Sequence, residues 1–124
     1  MTKISDIMSS GVVTIEPTAT VAEAATVMGG RRVGSLLVME GERLAGIFTE
    51  RDIVRALGSD FDAAGHPVEH WMTRDPVTIT SEDTTDAALD LMLSRNFRHL
   101  PVVDGGKVLG VVSIRDLSAA GAED

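Results

Sequence analysis

The chain has 124 residues, 44% of them hydrophobic, enough for one compact unit or two small ones packed together. Its formal charge of −8 argues against nucleic acid or an anionic membrane as partner, its 3% aromatic content supplies no stacking platform, and its lack of cysteine excludes disulfides, thiolate metal sites and a thiol nucleophile. No apolar run approaches the roughly eighteen residues of a membrane span and "MTKISDIMSSGVVTIEP" lacks a signal-peptide core, so a soluble, cytoplasmic protein is expected.

In chain order, "VVTI" (12–15) reads as a short strand, after which Thr20 caps a helix, "TVAEAATVMGG", stopped by Gly29 and Gly30. Two strands follow, "SLLVM" and "RLAGIFT", joined across "EGE", and then a second helix, "ERDIVRAL". "GSDFDAAGHP" (58–67), rich in glycine and acid, reads as a connector. The series then repeats. "PVTI" (76–79) is the strand, Thr84 caps "TTDAALDLMLSRN", "HLPVVD" and "VLGVVS" are joined across "GGK", and "IRDLSAA" is the last helix.

Residue n and residue n + 64 correspond without a gap over 4–56 and 68–120, with identities that include Met8/Met72, Val13/Val77, Thr14/Thr78, Thr20/Thr84, Gly46/Gly110 and Asp52/Asp116. The fold class is therefore α/β in the broad α+β sense, two β-α-β-β-α repeats over 1–57 and 68–124. A unit of about fifty residues is marginal alone, so the copies are expected to share one compact body.

The chemistry concentrates where a strand hands over to a helix: "GIFTERD" with Thr49, Arg51 and Asp52, and "GVVSIRD" with Ser113, Arg115 and Asp116. A hydroxyl followed three residues later by a carboxylate is a helix-capping pattern, with the carboxylate near the positive end of the helix. The same junction offers free N–H groups and a carboxylate able to accept two hydrogen bonds from a diol such as the 2′ and 3′ hydroxyls of ribose, and the arginine adds a fork for phosphate. Both readings use one geometry, and its repetition in register favours a site.

Arg31, Arg32, Arg51, Arg95, Arg98 and Arg115 recur near equivalent points of the two copies, and Arg98 and His99 directly precede a strand. Arg31 and Arg95 are equally explained as solvated cations at helix C-termini, and His99 as a structural histidine. His66 and His70 lack a third ligand, so no metal is expected. The chain has no Gly-x-x-x-x-Gly-Lys loop, no Gly-x-Ser-x-Gly elbow and no Gly-x-Gly-x-x-Gly after a strand, and no nucleophile with a partner base, so catalysis is not expected.

"DIMSSGVVTIEPTATVAEAA" with "HWMTRDPVTITSEDTTDAAL", and "VGSLLVMEGERLAGIFTERD" with "NFRHLPVVDGGKVLGVVSIRD", resemble the CBS domain, named after cystathionine β-synthase, and together look like a tandem CBS pair. The resemblance implies two repeats packed pseudo-symmetrically in a regulatory module. Such a module binds AMP, ADP or ATP, or else NAD or S-adenosylmethionine, in clefts between the repeats. It also implies a homodimer, a regulated enzyme or transporter as partner, and an adenine nucleotide as ligand with no cofactor required.

Carried over residue by residue, one cleft would use Ser113 and Asp116 for ribose, Arg98 and His99 for phosphate, and Val12, Val13, Thr14 and Ser35 around the base. The other would use Thr49 and Asp52 for ribose, with Val77, Thr78, His99 and Pro101 near the base. Where the second copy has Arg98-His99-Leu100-Pro101 the first has Gly34-Ser35-Leu36-Leu37, so the Ser113/Asp116 cleft is expected to be the stronger phosphate site. The alternative is a dimerising or docking module whose clefts are vestigial.

Overall fold

A computed structural model describes residues 2–123, which divide into two packing units. One comprises Val13–Pro76; the other joins the N-terminal residues through Val12 to those from Val77 onward. The units are thus offset from the repeats.

In the Val13–Pro76 unit, β1 (Thr14–Ile15) runs parallel to β2 (Ser35–Glu40), which pairs antiparallel with β3 (Arg43–Thr49), and β3 pairs antiparallel with β4 (Thr73–Arg74). The β2–β3 turn places Gly41 at φ 62°, a conformation that costs glycine little. Helices α2 (Val21–Arg31) and α3 (Glu50–Ser59) bury Val21, Ala24, Met28 and Ala56 against Leu36, Val38, Ala45 and Phe48. Apolar residues three and four apart on a helix meet alternate residues of a strand, and that match of periods builds the core. The expected connector contributes as well: a 3₁₀ helix over Phe61–Gly65 buries Ala63 in the same cluster.

The other unit contains α1 (Ile4–Ile7), α4 (Thr85–Arg95), β5 (His99–Asp104), β6 (Lys107–Ser113) and α5 (Ile114–Glu123). Its core gathers Ile4, Ile79, Ala88, Met92, Leu100, Val102, Val112 and Leu117. The β5–β6 hairpin repeats the β2–β3 hairpin, including a register shift at Val102/Val103 that matches the one at Val38/Met39.

The offset has a local cause. Thr73 pairs with Ile47 beside β3, and Ser9, sixty-four residues earlier, pairs with Val111 beside β6. Each repeat's opening segment therefore lines the edge of the other repeat's hairpin. Gly46 and Gly110 permit this approach, since a β-carbon on Gly46 would lie 2.6 Å from the Thr73 carbonyl oxygen.

The helix starts are as expected: Thr20 accepts from the Glu23 N–H at 3.0 Å and Thr84 from the Ala87 N–H at 3.2 Å. Two local expectations need correction. Gly29 and Gly30 lie inside α2, which ends instead where Arg32 adopts φ 55° and its N–H returns to the Met28 carbonyl; Asn96 ends α4 in the same way at φ 59°. "PVTI" forms no strand beyond a single parallel bridge between Ile79 and Val102. Among the described residues no helix is long and apolar enough to cross a membrane.

Candidate functional site

Each unit carries one strand-to-helix junction, and the two share a backbone frame. Ser35 stands opposite Thr49 in the β2–β3 ladder and His99 opposite Ser113 in the β5–β6 ladder. The first helical N–H then returns to the residue before the strand: Glu50 to the Gly34 carbonyl at 3.2 Å, Ile114 to the Arg98 carbonyl at 2.8 Å. The carboxylate three residues after the hydroxyl folds back over the start of the helix because the N–H groups there have no partner within the helix.

At the second junction, Asp116 Oδ2 accepts from the Ser113 N–H at 2.9 Å while Ser113 Oγ accepts from the Asp116 N–H at 3.1 Å. One carboxylate oxygen, Oδ2, builds the junction, and the other, Oδ1, has no hydrogen bond or ion pair among the described residues.

The first junction is occupied from within. Asp52 is 6% exposed, and its Oδ2 accepts from the Thr49 N–H at 2.9 Å and the Thr49 hydroxyl at 3.2 Å. Its Oδ1 is taken by Arg55 Nη2 at 3.2 Å, and the same nitrogen donates to the Trp71 carbonyl at 2.6 Å. The Arg55 guanidinium lies 5.5 Å from the centre of the Trp71 ring, and the Trp71 indole N–H reaches His66 Nδ1 at 3.4 Å. At the equivalent positions the second junction has Ala119 for Arg55 and Ile7 for Trp71, so this arrangement has no counterpart there.

The expected site residues divide by unit. Val13, Thr14, Ser35, Thr49, Arg51 and Asp52 belong to one; Val12, Val77, Thr78, Arg98, His99, Pro101, Ser113, Arg115 and Asp116 belong to the other. Within the first unit Ser35, Thr49 and Asp52 meet at the junction, and Thr14 sits one strand away, opposite Leu37. Within the second, Arg98 and His99 adjoin Ser113 and Asp116; Arg98, Arg51 and Arg115 are exposed and His99 is half-buried. Pro101 is buried, and its carbonyl accepts from the Ile79 N–H at 3.0 Å.

Arg55 and Trp71 are absent from the sequence reading of the site. The three-residue spacing of Asp52 and Arg55 on a helix was a usable signal for the ion pair. The Trp71 contact had none, because it spans 16 residues.

The comparisons with known proteins agree with this frame. The family model of the CBS domain matches residues 4–59 and again 68–123. A 17.7 kDa protein of Acidianus ambivalens is 45% identical over 96% of this chain and 73% of its own length. Among solved structures, the CBS-domain protein ATU1752 of Agrobacterium tumefaciens superimposes with a TM-score of 0.93 at 31% identity, covering 97% of this chain and 99% of that one. The CBS domain pair of protein MJ0100, solved in complex with 5′-methylthioadenosine and S-adenosyl-L-methionine, superimposes with a TM-score of 0.91 at 28% identity over 100% of this chain and 99% of its own.

Proposed function

The chain belongs to the CBS domain family, and from that premise we propose that it is a regulatory module that binds an adenosine nucleotide or adenosyl ligand without transforming it. The observation that carries this reading is the junction at Ser113 and Asp116, where one carboxylate oxygen is fixed by the cap and the other has no partner among the described residues. A carboxylate held in that way accepts from a ribose hydroxyl without first giving up a partner. The complex of the MJ0100 pair supports the choice of ligand class, since both of its ligands carry a ribose diol.

Arg98, whose carbonyl receives the Ile114 N–H at the junction, supplies positive charge for a phosphate, and His99, opposite Ser113 on β5, adds an imidazole. Arg115, on the first turn of α5, adds to that charge. The first junction has Gly34 and Ser35 in their place and suits a ligand with less phosphate. Val12, Val13, Thr14, Val77, Thr78 and Pro101 remain the proposed surroundings of the base.

The test is thermal denaturation of the full chain with AMP, ADP, ATP, NAD and S-adenosylmethionine, followed by calorimetry with those that shift it. A ligand at 100 times its dissociation constant adds about 2.7 kcal/mol of stability. No shift with any of the five overturns the reading.

A homodimer belongs to the same proposal. Val54 and Leu57 are three residues apart on α3 and Phe61 stands just past its end, with Val54 72% and Phe61 101% exposed. Exposed apolar side chains of this kind are covered at little cost by a second copy of the chain. If no adenosyl ligand binds, this surface supports the second reading, a module that works by dimerising or docking on an enzyme or transporter.

A further inference from the structure

The contacts of Arg55 bear on how the first junction takes a ligand. Its guanidinium occupies Asp52 Oδ1, the carboxylate oxygen whose counterpart on Asp116 is unpartnered among the described residues. The carboxylate is nearly buried, with 9% of its side-chain surface exposed against 53% for Arg55, so little else can reach that oxygen while the arginine is in place. Arg55 is anchored again by the Trp71 carbonyl and by the face of the Trp71 ring.

We infer that Arg55 is a latch on the first ribose-binding junction: a diol is held by both oxygens of Asp52 only after the guanidinium has left Oδ1. The inference rests on the reading proposed above. It makes the two junctions unequal for a reason independent of phosphate contacts. The second binds a diol directly, whereas the first exchanges an ion pair for it. Since the same nitrogen holds the Trp71 carbonyl, occupation of the first junction also releases the chain just before Met72, which packs against Gly46.

An ion pair with one exposed partner is worth up to about 1 kcal/mol, so removing the latch tightens diol binding by roughly threefold to fivefold. The experiment uses the full chain carrying Asp116→Ala, so that the first junction is the one that reports. It uses adenosine as probe, which has the diol and no phosphate. Arg55→Met, added to that chain, keeps an unbranched side chain at this position and removes the guanidinium; calorimetry is expected to give the threefold to fivefold gain, and Asp52→Ala to abolish it. Trp71 is the only tryptophan, so its emission is a direct reporter of the departing cation. Adenosine is expected to change that emission in the Asp116→Ala chain, and Arg55→Met is expected to produce the change without adenosine.

Unchanged or weaker adenosine binding after Arg55→Met overturns the latch and leaves the proposed function standing. So does a loss confined to AMP, which would make Arg55 a phosphate ligand. Binding of adenosine by the parent chain but by neither Asp116→Ala variant also overturns it, because the first junction is then no site. If no adenosyl ligand binds the parent chain or any variant, both the latch and the proposed function fall.

Discussion

A β-carbon on Gly110 would stand 2.5 Å from the carbonyl oxygen of Ser9, a backbone atom held in place by the pairing of Ser9 with Val111. The equivalent contact at Gly46 reaches both Met72 Sδ and the Thr73 carbonyl oxygen at 2.6 Å. These glycines are identical in the two repeats because each lets an opening segment lie flat along a hairpin.

Gly110→Ala and Gly46→Ala are therefore expected to destabilise the chain by about 1–3 kcal/mol each, the usual cost of forcing atoms into a filled space. Chemical denaturation and a Tm lowered by several degrees would register it. Gly58→Ala, where nothing lies within 4 Å of the added carbon, is the control and should leave stability unchanged or slightly raised. Equal behaviour of all three variants would contradict the close approach.

Asp116→Ala is expected to weaken AMP or ATP binding in calorimetry more than Asp52→Ala does. Asp116 has one carboxylate oxygen without a partner among the described residues and the basic pair Arg98 and His99 nearby, while Asp52 already holds Arg55. Equal losses for the two substitutions would remove the asymmetry.

Asp104 accepts from the Ser81 hydroxyl at 2.5 Å and from the Ser81 N–H at 2.9 Å, and these bonds, the hydroxyl's foremost, hold its pKa below the ordinary 3.8 against a smaller opposing effect of desolvation. A carboxylate whose pKa is depressed by folding contributes stability above its unfolded value; that contribution fades as pH falls through the lower folded value. Ser81→Ala should move the Asp104 titration, followed by NMR, upward toward 3.8. The Tm difference between the parent and this variant should shrink at pH values below both titrations. An Asp104 titration that does not move would count against the bond.

Phe61→Asp, alone or with Val54→Asp, is expected to shift the chain from dimer to monomer in sedimentation or light scattering. Both side chains are exposed and make no part of the described core, so the folded monomer should keep its far-UV spectrum. A parent chain that sediments as a monomer at high concentration overturns the dimer outright.

Much of this molecule was legible along the chain because its signals are local. Thr20 and Thr84 cap helices from within one turn, Gly41 and Gly105 sit in the turns of both hairpins, and the Thr49–Asp52 and Ser113–Asp116 pairs close over three residues. The helix ends were less legible, since Gly29 and Gly30 tolerate a helix as well as they break one, and Arg32 took the left-handed position instead. The repeat could say that Ser9 corresponds to Thr73, but not that each would line the hairpin of the other copy. Either hairpin offers an open edge and the same glycine, and the choice is made by what else the segment buries, Ile4 in one core and Val68 with Met72 in the other. The Arg55 latch has the same character. Its helical half is a three-residue spacing, but its anchor on Trp71 exists because folding closes a 16-residue loop, and with it the two junctions that are spelled alike become chemically different.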